Sequence, residues 1–306
     1  MSYALVFSGQ ANQHADMLPW LEAAPASAPV LRHMETLVGG DWRAALADPL
    51  RRADNGFAQV VITGTAMAAW AALREAGVSA PRAVAGYSVG ELAAFAAAGV
   101  FTPDSALALA QARARCMDAA VTGLHTGLLA VTGMAAARAL AMFPGLECAI
   151  DIGPEQAVLA GMDADLREAL VRLPREGAQC TRLDVALASH SSWMRPALAP
   201  FEAALNSVTW RPAVCPLALN ATGGLGQQVP VLRPALLAQI ARTVQWESCM
   251  QAVAERQPDC VLEMGAGAAL ARQWNARYPE VPARSLDEFK DVQGAVAWLQ
   301  RNAAFD

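Results

Sequence analysis

Gly86-Tyr87-Ser88-Val89-Gly90-Glu91 is the stretch on which the reading of this chain turns. The short apolar run Ala83-Val84-Ala85 precedes it and predicts a buried strand. Leu92-Ala93-Ala94-Phe95-Ala96-Ala97-Ala98 follows and predicts a helix. A G-x-S-x-G pattern on a strand-to-helix turn is the context of a nucleophile elbow. The glycines permit a sharp turn. Ser88 then stands at the helix N-terminus, where the Val89 amide and the positive helix end favour an oxyanion. The plainer reading of the same residues is an ordinary serine at a helix N-cap.

Composition narrows the rest. The chain has 306 residues, 55% of them apolar and 17% charged, with a net charge of −5. That length suits one large domain with an insert. No basic run or zinc pattern supports nucleic-acid binding. The six cysteines form no C-x-x-C pair and no signal peptide is evident, which predicts a reducing cytoplasm. No apolar run reads as long enough to span a membrane, and Val61–Ala72 reads as a core helix.

Working outward from the elbow, Tyr3–Phe7 is a strand candidate, followed by the polar turn Ser8-Gly9-Gln10-Ala11-Asn12-Gln13. Val60–Glu75 reads as a helix, and Thr102-Pro103-Asp104 opens another that carries Arg113. The pattern changes near Val121. Gly127–Thr132, Cys148–Ile152, Ala157–Ala160 and Thr181–Leu187 read as strands, with helices at Ala135–Phe143 and Asp163–Arg175. This βαββαβ order describes a ferredoxin-like module. The expected fold is therefore α/β: an α/β-hydrolase-like large domain with a parallel sheet, in segments 1–123 and 188–306, and a ferredoxin-like insert at 124–187. In the second large-domain segment, Pro196–Leu205 and Pro234–Arg242 read as helices, and Val214–Leu219 and Asp259–Met264 as strands.

A serine hydroxyl needs a base to act as a nucleophile at neutral pH. Four histidines are available: His14 after the polar loop, His33 on a helix face, His125 in the hinge before the insert, and His190. His190 follows a strand and precedes a helix, which suits a side chain held toward the centre. On its own it reads more readily as a hydrogen-bonded structural histidine. Arg113, likewise, reads on its own as a solvated charge on a helix face.

The motifs jointly say more. Phe7-Ser8-Gly9-Gln10-Ala11-Asn12-Gln13 resembles the F-P-G-Q-G-x-Q opening of malonyl-CoA:acyl carrier protein transacylases, and Gly86–Glu91 resembles their G-H-S-x-G-E. Ala188–Met194 resembles P-S-H-x-x-x-M, Arg113–Met117 resembles R-G-x-x-M, Gln239–Trp246 resembles Q-x5-V-x-W, and Leu262–Gly267 resembles L-E-x-G-P-G. All six keep the family's order. The resemblance implies Ser88 as acylated nucleophile and His190 as general base, with the imidazole oriented by the backbone carbonyl of Gln239. It further implies an oxyanion hole from the amides of Gln10 and Val89, and Arg113 as the partner of the malonyl carboxylate. A guanidinium suits that role because it offers paired donors. The implied partners are malonyl-CoA and an acyl carrier protein. No metal or cofactor is implied.

Departures from the pattern are Ser8 for Pro, Ala11 for Gly, Tyr87 for His, and Ile150-Asp151-Ile152 in place of an Asn-containing strand. Ile240–Trp246 and Pro282–Phe289 resemble the transacylase subunit of bacterial malonate decarboxylase, although no catalytic need explains the Ser285-Leu286-Asp287-Glu288-Phe289 run. Two other readings stand beside this one. An α/β-hydrolase or thioesterase predicts an acidic triad member between nucleophile and histidine, with Asp151 and Asp163 as examples in range. A non-catalytic carrier-binding subunit predicts no covalent intermediate.

Overall fold

The computed structural model describes residues 2–10 and 12–303. Two sheets organise it. The larger has six strands in the order β11-β10-β1-β2-β7-β8. These are β1 (Tyr3–Phe7), β2 (Ala83–Gly86), β7 (Leu217–Ala218), β8 (Leu225–Gly226), β10 (Cys260–Met264) and β11 (Ala283–Ser285). Every pairing is parallel except β7 with β8. Strands β1, β2 and β10 are buried along their whole length, as a parallel sheet covered on both faces requires.

The two faces of β1 show what covers them. Tyr3, Leu5 and Phe7 join a core with Phe57, Val61, Leu92, Phe95 and Leu107, from the helices Asn55–Glu75, Gly90–Ala97 and Pro103–Ala120. Ala4 and Val6 face the other way, toward Trp246, Met250 and Trp274. Those three side chains lie on the helices Trp246–Ala254 and Ala269–Arg277. The same core continues into Leu128, Ile150, Ile152 and Val158 of the second sheet.

The second sheet has five strands in the order β6-β3-β5-β4-β9. Its members are β3 (Thr126–Thr132), β4 (Glu147–Gly153), β5 (Gln156–Met162), β6 (Gln179–Arg182) and β9 (Val244–Gln245). The first four, with the helices Ala136–Met142 and Asp163–Arg172, give the βαββαβ order and all-antiparallel pairing of a ferredoxin-like unit. The strand period of two separates its faces. Leu129 and Val131 pack outward on Ala139, Leu166 and Ala169.

Four details differ from the sequence expectations. The last strand of this unit is Gln179–Arg182, not Thr181–Leu187: β6 pairs with β3 from Thr132↔Gln179 to Leu129↔Arg182, and the chain then leaves the ladder. Leu183 and Val185 are apolar because they wall a cavity, not because they continue a strand. The fifth strand, β9, comes from beyond the insert and pairs parallel with β4 through Ile150↔Val244 and Asp151↔Gln245. The helix expected at Pro234–Arg242 runs Val229–Ala238, since Pro230 is compatible with a first helical turn. Finally, the helix Asn55–Glu75 spans 21 residues and holds an 18-residue window with a mean hydropathy of 1.4, so this helix does meet the length and composition of a membrane span. Its apolar character matches its surroundings: 83% of that window is buried inside the protein. Asp54 caps it by accepting from the Phe57 amide at 2.7 Å, a contact of about 1 kcal/mol.

Candidate active site

The site forms at the C-terminal ends of β1, β2 and β10, where open parallel sheets place their ligands. Strand β2 ends at Gly86, and the chain turns at Ser88 into the helix Gly90–Ala97. Ser88 has φ +56°, in the left-handed region. A non-glycine residue is held there only by its surroundings. The turn has no room for side chains at its flanks. A Cβ on Gly86 would sit 2.2 Å from the Glu91 amide nitrogen, and one on Gly90 would sit 2.4 Å from the Phe7 carbonyl oxygen.

Asn220 fastens the turn from behind. Its Oδ1 accepts from the Ser88 amide at 2.9 Å, and its Nδ2 donates to the Gly86 carbonyl at 2.7 Å. The Asn220 amide in turn donates to Glu91 Oε1 at 2.8 Å. Glu91 is fully buried, and burial pushes its carboxyl up to about 8. The acid is therefore protonated at neutral pH, which spares the core a buried carboxylate.

His190 reaches the elbow from the other side. Its Nε2 stands 2.7 Å from Ser88 Oγ, and its Nδ1 stands 2.5 Å from the Gln239 carbonyl oxygen. A carbonyl only accepts, so Nδ1 carries the proton and Nε2 is left to accept the Ser88 hydroxyl. The backbone of His190 is tied to the same turn, its amide donating to the Ile240 carbonyl at 3.0 Å. The helix Val229–Ala238 supplies both carbonyls because it ends immediately before them, and terminal carbonyls lack helical partners. Like Ser88, His190 has a left-handed φ, +60°. Burial first, and the nearby Arg113 cation second, push the imidazole down to about 3. It is neutral, and able to accept a proton, across the physiological range.

Arg113 projects from the helix Pro103–Ala120 and is fully buried, not solvated. Its Nη1 donates to Gln59 Oε1 at 2.8 Å and its Nη2 to Gln239 Oε1 at 3.2 Å, with Ser88 Oγ 3.5 Å from Nη2. Its Nε and the Gln239 Nε2 are buried without a hydrogen-bond partner among the described residues. Burial lowers its pKa to about 10, which still leaves it a cation at neutral pH.

The loop after β1 borders the site. The Tyr87 amide donates to the Phe7 carbonyl at 2.9 Å, which sets the loop against the elbow. Ser8, Gly9, Gln10 and Asn12 line a cavity of about 270 Å³ together with Ser88 and His190. Ala11 lies outside the described residues. The far wall is apolar, from Leu128, Ile150, Ile152, Val158, Leu183 and Val185. Tyr87 also lines it and meets the Trp246 ring edge-on at 5.1 Å. An adjoining cavity of about 770 Å³ shares Ile152, Gln156, Ala269 and Gln273 with it.

The structure thus brings together Ser88, His190, Gln239 and Arg113, with Val89 at the helix start and Gln10 in the cavity wall. The other histidines lie elsewhere: His14 is paired with Asp287 and His33 with Asp104. Asp163, a candidate acid for the hydrolase reading, is paired with Arg167 and Arg182. Sequence reading missed Gln59 and Asn220. The signal for Gln59 was a buried amide in an apolar helix, and for Asn220 a polar residue closing a strand before a glycine-rich turn.

The chain matches the acyl transferase domain over residues 4–296. A malonyl CoA-acyl carrier protein transacylase from Mycolicibacterium smegmatis is 30% identical over 293 residues, covering 91% of this chain and 98% of that protein. The polyketide biosynthesis protein ThaF of Burkholderia thailandensis is 32% identical over 315 residues, covering 99% of this chain and 26% of that protein. Among solved structures, FabD from Acinetobacter baumannii superposes with a TM-score of 0.89 at 26% identity, covering 99% of both chains. An acyl-carrier-protein S-malonyltransferase from Burkholderia pseudomallei gives 0.88 at 27% identity, covering 97% of this chain and 100% of that one. With a hydrogen-bonded serine–histidine pair on a strand-to-helix elbow and a domain match over nearly its whole length, this chain belongs to the acyl transferase domain family.

Proposed function

We propose that this protein transfers a malonyl group from malonyl-CoA to the pantetheine-type thiol of an acyl carrier protein, through an acyl-Ser88 intermediate. The observation that carries the reading is the Ser88 Oγ–His190 Nε2 contact of 2.7 Å, with Arg113 buried 3.5 Å behind the same oxygen. Ser88 Oγ attacks the thioester carbonyl as its proton passes to His190 Nε2. The carbon–sulfur bond breaks, and the CoA sulfur leaves with that proton. The carrier thiol then gives its proton to Nε2 and attacks the acyl-serine carbonyl; the carbon–oxygen bond breaks, and Ser88 Oγ leaves with that proton. In both halves the oxyanion rests on the amides of Gln10 and Val89; losing one such donor typically costs about 3 kcal/mol of barrier. Arg113 pairs with the malonyl carboxylate by exchanging its amide-oxygen partners for a charged one, a stronger bond.

The domain division 1–123, 124–187 and 188–306 is part of the same proposal, with the acyl chain seated between the first and second units. So is a reducing cytoplasmic setting, in keeping with six unpaired cysteines. For the acceptor we propose the carrier subunit of a malonate decarboxylase, on the resemblance of Ile240–Trp246 and Pro282–Phe289. The names of the relatives favour a second acceptor, a carrier of fatty-acid or polyketide synthesis. Intact-mass measurement after mixing with malonyl-CoA tests the first step: a stoichiometric adduct on Ser88 is expected, and continuous CoA release without an adduct would return the thioesterase reading. Offering the loaded enzyme each carrier in turn separates the two acceptors.

A further inference from the structure

We propose that Asp287 is a positioning residue for acyl transfer: it clamps the loop after β1 to the turn after β10 and so fixes the Gln10 amide. The inference rests on the reading above, in which that amide receives the oxyanion. Asp287 sits on the single turn Leu286–Glu288 after β11, in the run for which the sequence offered no catalytic reason. Its Oδ1 accepts from the Leu18 amide at 2.7 Å. Its Oδ2 accepts from the Gly267 amide at 2.8 Å and lies 3.0 Å from His14 Nε2. One carboxylate thus joins three separate segments, and bonds from amides to a carboxylate are charge-assisted.

The clamp is itself well set. The side chain is 9% exposed, the Asp287 amide donates to Ser285 Oγ at 3.2 Å, and Leu286 beside it is fully buried. What it holds is under strain: Leu18 is fully buried with φ +47°, a conformation kept only where the surroundings impose it. The near end of the same loop is held in the same manner by a second carboxylate. Ser8 Oγ donates to Glu263 Oε1 at 2.8 Å, while Glu263 Oε2 accepts from the Ala271 amide at 2.8 Å. Asp287 therefore ties the loop to the turn that follows β10, and Glu263 ties it to β10 itself and to the helix Ala269–Arg277. Gln10 lies between the two ties, in the wall of the cavity that holds Ser88 and His190.

The test is pre-steady-state acylation by malonyl-CoA, followed by transfer to pantetheine, in wild type, Asp287→Ala and Asp287→Asn. Both half-reactions pass through an oxyanion. Asp287→Ala is expected to slow both by a common factor of roughly tenfold to a hundredfold, less than the ~10²–10³ of an outright lost donor because Glu263 still holds one end. The fraction of enzyme that can be acylated stays full, and KM stays within about twofold. Asp287→Asn keeps one accepting oxygen and should fall between the two. An unchanged rate per acylated site would overturn the proposal, and so would a loss confined to the acylatable fraction, which marks a purely structural role. If Asp287→Ala does not fold, the Asn variant decides by the same criteria. Parallel acylation with p-nitrophenyl acetate, which needs the oxyanion donors but neither CoA nor a malonyl carboxylate, separates this proposal from the functional one. A variant defect there stands even if wild type refuses malonyl-CoA.

Discussion

Gln239 serves His190 and Arg113 with different atoms: its backbone oxygen lies 2.5 Å from His190 Nδ1, and its side-chain Oε1 takes a hydrogen bond from Arg113 Nη2 at 3.2 Å. The first contact survives any substitution that leaves the backbone in place, and the second does not. Gln239→Ala is therefore expected to keep most of the acetyl-transfer rate while lowering malonyl transfer, whereas His190→Ala slows both by about a thousandfold or more. Single-turnover acylation with the two thioesters distinguishes these outcomes. Equal losses for both acyl groups in Gln239→Ala would show that its side chain bears on proton transfer as well.

Arg113→Ala should invert acyl preference. Acetyl-CoA leaves the buried guanidinium without an anionic partner, a mismatch on the order of several kcal/mol, and removing the cation removes that mismatch. Malonyl transfer falls and relative acetyl transfer rises. Arg113→Lys should not restore the ratio, because an ammonium is a point charge and lacks the guanidinium's two parallel donors to a carboxylate. An unchanged malonyl-to-acetyl ratio would remove Arg113 from acyl recognition.

Ser88→Ala should abolish the acyl adduct and leave the fold intact, as read by intact mass and circular dichroism. Ser88→Gly should do the same and also raise stability by about 1 kcal/mol, since a glycine carries the φ of +56° without strain. A glycine variant less stable than the alanine one would show that the turn is not strained.

Two buried groups set the pH limits, with opposite signs. His190 is held in its neutral form, with its pKa lowered from 6.5 to about 3. Its contribution to stability is full above about 6.5 and is lost as pH falls from there through about 3, and the acid limb of acylation should lie correspondingly low. Glu91 has the reverse shift, raised from 4.5 to about 8. Its contribution is full below about 4.5 and is lost as pH rises through about 8. Glu91→Gln keeps an oxygen for the Asn220 amide and has nothing to ionise. Its melting temperature should lack the decline expected of wild type as pH rises from about 4.5 through about 8. A decline of the same size in both would assign that limb to another group.

Much of this arrangement could be read before any coordinates. The elbow was legible because its flanks change period across six residues, and the ferredoxin-like order because each strand and helix there is short and separately bounded. Val185 shows what misleads: apolar residues alternating from Leu183 onward look like a strand, yet they face a cavity. Gln59 and Asn220 were invisible for another reason. Each matters through a partner far off in sequence, Arg113 and Ser88 respectively, and no local pattern records such a pairing. Strand β9 was hidden because two residues are too few to show a period.

That two-residue strand has a practical outcome for engineering. Val244 and Gln245 complete the smaller sheet, and only a few residues upstream Gln239 and Ile240 hold the His190 imidazole and its backbone. A chimaera that exchanges only residues 124–187 with a relative would graft a foreign β4 onto a native β9 and pull on the histidine's mooring. Transplants that carry residues 239–246 along with the smaller lobe should keep their activity; those that cut between them should fold and turn over slowly.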